Sequence, residues 1–170
     1  MTSQRSIILR TEAASFCQAL VVRLTPQELL LRYFTLNPKI TEHGPTWCRD
    51  RLPFLAETFS GISGKDSCLS YFDALSQTLK MHMDETTFPD NNEYIVDPDA
   101  VVEGENGSGV VCVVGKARFE SVKTGKSWRE QFIYRLSGFD ADGKIGHWVA
   151  CYPHTYITFA GNIDGADFLH

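Results

Sequence analysis

The chain has 170 residues, and sixteen Lys and Arg against twenty-one Asp and Glu leave it a net charge of −5. That length suits one domain around a single core, and the acidic balance with scattered basic residues argues against nucleic acid or an anionic membrane as partner, since either calls for a clustered Lys/Arg surface. Eleven Phe, six Tyr and three Trp in a chain only 22% charged describe a folded globule rather than a disordered segment.

In chain order, the first half reads helical. Ala13, Phe16, Cys17, Leu20, Val21 and Leu24 recur at spacings of three and four, which places them on one stripe of a helix of about three turns. Thr25, Pro26 and Glu28 then make a fresh helix start: Thr as N-cap, Pro at the first helical position, and the acid of a capping box. This second helix carries Leu29, Leu30, Tyr33 and Phe34, and is expected to stop before Asn37 and Pro38, because the residue ahead of a proline is pushed out of the helical region. Residues 39–64 read as an irregular segment, yet Ile40, Trp47, Leu52, Phe54, Leu55 and Phe59 make it too apolar for a plain loop. The expectation is a short helix or lid packed over something. Residues 66–80 form the clearest helix, with Leu69, Phe72, Leu75 and Leu79 on one stripe.

The second half reads as strands. Residues 82–88 and 93–97 are short β candidates separated by the turn formers Pro89, Asp90, Asn91 and Asn92. Residues 110–121, 127–137 and 144–152 follow, joined by short turns at Thr124-Gly125 and at residues 140–143, and predict an antiparallel meander. Helices first and a meander afterwards is an α+β layout, a curved antiparallel sheet with its helices on one face. A single domain spans residues 1–170, with its core over about 13–160 and a peripheral tail over 161–170. Cys17, Cys48, Cys68, Cys112 and Cys151 are odd in number and contain no C-x-x-C pair, so reduced thiols are expected rather than a disulfide framework or a structural zinc site. No apolar run approaches the roughly 18 residues of a membrane span, and the amino-terminal residues lack the apolar stretch of a secretory signal, which makes a cytoplasmic protein the default expectation.

Pairing Phe119 opposite Trp128 sorts the first two meander strands into faces. One face collects Val111, Val113, Gly115, Ala117 and Phe119 with Trp128, Phe132 and Leu136, and also Glu130 and Tyr134; the other collects Lys116, Arg118, Arg129, Gln131 and Arg135. The apolar face must meet the helices, so Glu130 and Tyr134 are the anomalies. A carboxylate there costs several kcal/mol unless paired or neutral, and its pKa tends upward, as in a general acid or base working near neutral pH. The bland alternatives are a Glu130 held by Arg49 or Arg51 or turned to solvent by a slipped register, and a Tyr134 that is a core tyrosine with a satisfied hydroxyl. In the third strand, His147 and Cys151 alternate with Trp148 and Tyr152. A four-residue loop at 140–143 turns His147 and Cys151 inward, whereas a three-residue loop with a bulge turns Trp148 inward, and the sequence leaves both open.

Other motifs narrow the chemistry. Gly125, Lys126 and Ser127 end like a phosphate loop, but the glycine required five residues earlier is Glu120. Residues 104–109 hold glycines that do not lead from a strand into a helix, so no dinucleotide fingerprint is present. His82 and Asp84 resemble a metal pair without a third ligand, and no metal site is expected.

The order of elements, together with residues 113–120 (VVGKARFE), 124–136 (TGKSWREQFIYRL) and 139–148 (FDADGKIGHW), resembles the nuclear transport factor 2-like superfamily. The nearest match is its SnoaL-like group, in a form associated with filamentous fungi, which residues 40–45 (ITEHGP) and 52–55 (LPFL) also fit. The resemblance implies a cone: a curved sheet wrapped around helices, with an apolar pocket closed by the segment after the first helices. It further implies cofactor-independent acid/base chemistry of the kind polyketide cyclases, dehydratases and isomerases perform, although other members are transport or scaffold modules. Glu130 and Tyr134 match inward positions, with His147 as a third catalytic candidate. His43, Trp47, Arg49, Asp50 and Phe54 in the lid, and Tyr71, Phe119, Trp128, Phe132, Cys151 and His154 around the walls, are the expected substrate contacts. The chain departs from cyclase-like members at Cys151 to His154, where they often carry an Asp and His154 would have to substitute. The expected substrate is a small, apolar polyketide-, terpenoid- or alkaloid-like molecule, with a non-catalytic binding or scaffold dimer as the competing reading. A homodimer through the outer sheet face, centred on Cys112, Val114 and Ile133, is expected in either case.

Overall fold

The computed structural model describes residues 3–50 and 52–152. Its elements run α1 (Gln4–Val21), α2 (Pro26–Tyr33), β1 (Phe34–His43), β2 (Thr58–Ser60), α3 (Cys68–Thr78), β3 (Leu79–His82), β4 (Ile95–Asp97), β5 (Val110–Ser121), β6 (Ser127–Ser137) and β7 (Ile145–Cys151). The strands make one curved sheet in the order β2-β1-β7-β6-β5-β3, with β4 also paired to β5. Only β1 and β7 run parallel, so the sheet is mixed rather than wholly antiparallel. The α+β class stands as expected.

Local chemistry explains most boundaries. Ser3 caps α1 by accepting from the Ser6 amide at 3.1 Å, so the helix starts nine residues before its first expected apolar position. The capping box at Thr25 and Glu28 forms as expected: the Glu28 carboxylate accepts from the Thr25 amide at 2.9 Å, and Thr25 Oγ1 accepts from the Glu28 amide. The largest correction concerns the segment after α2. The chain passes from Tyr33 directly into a ten-residue strand, and within it Pro38, Ile40 and Glu42 are buried while Lys39, Thr41 and His43 face the other way. Pro38 sits where the β1–β7 register shifts between Phe34 and Lys39, a position at which a strand tolerates a residue without an N–H. What remains of the expected lid is a single 3-10 turn, Thr46–Cys48, and the short strand β2.

In the meander, β5 and β6 pair with Phe119 opposite Trp128 and Gly115 opposite Phe132, the expected register. A side chain on Gly115 would come within 2.4 Å of the Phe132 ring, so only glycine lets that ring lie across β5. Between β6 and β7, the Asp140 amide donates to the Lys144 carbonyl at 3.0 Å around a three-residue loop, 141–143, with Gly143 at φ +85°, and the same register runs unbroken to Ser137 opposite His147. That loop length decides the open register. Leu136 faces Trp148 and Tyr134 faces Ala150, so Trp148 and Ala150 point into the core. Helices α1, α2 and α3 cover this inner face, where Phe16, Tyr71, Phe72 and Tyr134 pack around Trp148 with ring centroids 5.0–6.1 Å away. Among the described residues, no helix is long and apolar enough to cross a membrane.

Candidate functional site

The inner face carries two carboxylates among aromatic rings. Glu130 lies on β6 opposite Ala117, is 8% exposed, and accepts from the indole N–H of Trp128 at 3.0 Å. Phe119 stacks on Trp128 at 6.0 Å and meets Phe132 edge-on, while Tyr152 packs against both Phe119 and Phe132. Of the two arginines considered for Glu130, Arg49 forms a salt bridge with Glu57 and Arg51 lies outside the described residues. Glu130 also borders a cleft of about 500 Å³ that His82, Lys116, Arg118 and Arg129 line as well.

The second carboxylate is one the sequence reading did not single out. Glu42, on the inner side of β1, is wholly buried and accepts from the Tyr71 hydroxyl at 2.8 Å. Burial and the adjacent Glu42 charge push the Tyr71 pKa well above its ordinary value, so this hydroxyl stays protonated and donates. Tyr134 lies in the same row of the sheet, separated from Glu42 only by Ala150. Burial likewise raises its pKa, and Tyr152 offsets part of that rise while standing short of hydrogen-bond geometry. The signal for Glu42 was present as the alternation of residues 38–43. It was hidden because Asn37-Pro38 reads as the end of a helix rather than the beginning of a bulged strand.

Replacing Tyr71 by Phe removes one donor to a carboxylate that water does not reach. The expected result is a loss of about 1–3 kcal/mol, read as a lower denaturation midpoint with an unchanged denaturant slope. An unchanged midpoint would show that the bond contributes nothing.

The remaining expected residues divide by face. Phe54, Tyr71, Phe119, Trp128, Phe132 and Tyr134 lie buried in the core. His147 does not join them: it sits on the outer face, opposite Ser137 and Lys39, because the three-residue loop at 141–143 turns Trp148 inward instead. Cys151 and His43 pair with one another on that same outer face, for the same reason of alternation. Trp47, Arg49 and Asp50 follow the end of β1 and are exposed, Trp47 to 58%. His154 and the expected peripheral tail lie outside the described residues, as does Arg51. His82 Nε2 bonds to Glu120 at 3.1 Å, and among the described residues no three His, Cys, Asp or Glu side chains are grouped to hold a metal ion.

No family model matches the sequence, and no curated protein matches it. Solved structures do. The chain is similar to a nuclear transport factor 2-like protein of unknown function from Burkholderia pseudomallei, with a TM-score of 0.57 at 14% identity over 89% of this chain and 95% of that one. It is similar to a phenazine biosynthesis-related protein from Pseudomonas aeruginosa, with a TM-score of 0.56 at 10% identity over 96% and 89%. A ketosteroid isomerase-like protein from Erwinia carotovora atroseptica gives 0.53 at 12% identity over 89% and 98%. At these identities the likeness is one of fold, and the fold of this chain is the nuclear transport factor 2-like one.

Proposed function

We propose that this nuclear transport factor 2-like chain is a cofactor-independent proton-transfer enzyme of the SnoaL-like kind. Its substrate is a small, largely apolar polyketide-, terpenoid- or alkaloid-like molecule of fungal secondary metabolism, and its reaction an isomerisation, cyclisation or dehydration. The observation that carries this reading is Glu130, a carboxylate set among Phe119, Trp128 and Phe132 with 8% exposure. The indole N–H of Trp128 orients it. In such surroundings a carboxylate exchanges protons with carbon or oxygen acids far better than it does in water, because its charged and neutral forms lie closer in energy.

Access differs between the two carboxylates. Glu130 and Trp128 keep some exposure and Tyr152 more, whereas Glu42, Tyr71, Tyr134 and Trp148 have none. The substrate therefore approaches along the Trp128–Tyr152 end of the inner face, with Glu130 as acid and base and Tyr134 deeper as hydroxyl donor. Glu42 and Tyr71 act as a fixed buried pair that holds β1 against α3. Screening polyketides, terpenoids and indole alkaloids by native mass spectrometry, with product analysis of every binder, tests the reading. Turnover supports it, and binding without turnover favours a carrier or scaffold module instead. The dense aromatic packing around Trp148 is the observation on the side of that second reading.

The same reading includes a homodimer. Ile95, Val114 and Ile133 are exposed together with half-buried Cys112 around one groove on the outer side of β4, β5 and β6, flanked by Lys116 and Gln131. A second copy of the chain covers this apolar centre. Light scattering at micromolar concentration is expected to give twice the 19.1 kDa chain mass, and Ile133→Asp to give the single mass. A wild-type monomer would contradict the dimer.

A further inference from the structure

His147, turned away from the core, belongs to a chain of hydrogen bonds on the outer face. Its Nδ1 lies 2.9 Å from Glu105 Oε1, and its Nε2 lies 2.8 Å from Thr41 Oγ1. Thr41 Oγ1 in turn lies 2.8 Å from Thr58 Oγ1. A carboxylate only accepts, so Nδ1 carries the proton and donates to Glu105; a neutral ring then accepts at Nε2 from the Thr41 hydroxyl, and Thr41 accepts from Thr58. Burial holds the His147 pKa below its ordinary 6.5, with Glu105 opposing that shift, so the ring is neutral at pH 7 and free to accept. The order carboxylate, imidazole, hydroxyl is that of a nucleophile activated by a base which a third group orients.

Three features set this apart from a chance surface network. Its acid and base are fixed: the Glu105 side chain is 6% exposed and that of His147 15%, and Ser137 donates a second bond to Glu105 Oε1 at 3.0 Å, with Arg135 at 3.5 Å. The hydroxyl sits at the accessible end, on β1 beside exposed Thr58 on β2. A cleft of about 320 Å³ opens against the imidazole and is lined by Leu36, Asn37, Lys39 and Asn106 among others. Lys39 stands opposite His147 in the β1–β7 register, and its ammonium reaches the Gly104 carbonyl at 3.3 Å.

We propose that Thr41, His147 and Glu105 form a second, hydrolytic site that cleaves small esters by acyl transfer through Thr41. Thr41 Oγ1 bonds to the ester carbonyl carbon as its proton passes to His147 Nε2. The tetrahedral adduct collapses, the bond to the leaving oxygen breaks, and the departing alcohol takes that proton. Water then attacks the acyl-threonine ester and gives a proton to Nε2. Collapse of the second adduct releases the carboxylic acid and returns the proton to Thr41. The balance is ester plus water to acid plus alcohol, with no oxidant or cofactor. Thr41 and His147 are the catalytic residues, and Glu105 is a positioning residue acting through the imidazole.

The test uses the full chain and p-nitrophenyl acetate, reading p-nitrophenolate release and the site of acetylation by peptide mass spectrometry. The expected result is an acetyl group on Thr41. Thr41→Val and His147→Gln should each slow release by about 100-fold or more, and Thr41→Ser should restore both release and acetylation at position 41. Thr41→Val is nearly isosteric, and its thermal melting curve verifies that the variant remains folded. The rate should fall as pH drops below 6.5. In Glu105→Gln that fall should move to lower pH, because the carboxylate that favours the protonated ring is gone. Equal rates in the wild type and Thr41→Val, or acetylation confined to other residues, would overturn the proposal. A limb that does not move in Glu105→Gln would remove Glu105 from it.

Discussion

Replacing Glu130 by Gln is expected to slow substrate turnover by about 10²- to 10⁴-fold, the usual worth of a positioned acid or base. The substitution keeps the side chain's shape and leaves an oxygen for the Trp128 indole N–H, which stands 3.0 Å from the carboxylate. Packing against Phe119, Trp128 and Phe132 therefore changes little, and the protein should melt at or above its wild-type temperature, because burying a neutral amide costs less than burying a charge. The combination is diagnostic. A lost activity with an unchanged or raised melting temperature identifies chemistry, whereas a parallel loss of both would identify Glu130 as a structural charge. Trp128→Phe complements it: the ring stays but the N–H that orients the carboxylate goes, and turnover should fall less than in Glu130→Gln.

Trp148→Ala should be the most destabilising single substitution of the inner face, by about 3–5 kcal/mol. Trp148 is wholly buried, and Phe16, Tyr71, Phe72 and Tyr134 all pack on its ring. Those neighbours come from α1, α3 and β6, so removing the indole leaves a cavity at the junction of three elements that cannot all move inward together. The indole N–H has no hydrogen-bond partner among the described residues. Trp148→Phe should accordingly cost less than its lost volume suggests, because it also removes an unsatisfied donor. Urea denaturation gives both numbers. A loss below about 1 kcal/mol for the Ala variant would mean that the core closes over the gap.

How far the sequence can be read depends on how local the deciding interactions are. Strands β5 and β6 were legible to the residue, because a two-residue alternation and one tight turn set both their faces and their register. The Thr25–Glu28 capping box was legible for the same reason: both bonds lie within four residues. Strand β1 was not, since Pro38 argues locally against a strand, and its pairing antiparallel to β2 and parallel to β7, the latter more than a hundred residues away, makes it one. With β1 went Glu42, whose partner Tyr71 lies on a separate helix. His147 was misplaced through one residue of loop length: a loop of three residues at 141–143 rather than four inverts the faces of β7, and that choice turns on Gly143 adopting φ +85°. Glu130 and Tyr134 were found from the residues themselves, as polar groups on an apolar stripe.

The central claim is that the inner face around Glu130 moves protons on a bound organic molecule. The most direct measurement incubates the wild-type chain and Glu130→Gln in D2O with a panel of polycyclic ketones and follows deuterium uptake beside the carbonyl by mass spectrometry. The predicted result is uptake catalysed by the wild type and slowed by about 100-fold or more in the variant. Equal uptake by the two proteins, or tight binding by the wild type with no uptake, water loss or ring closure in any compound, would contradict it.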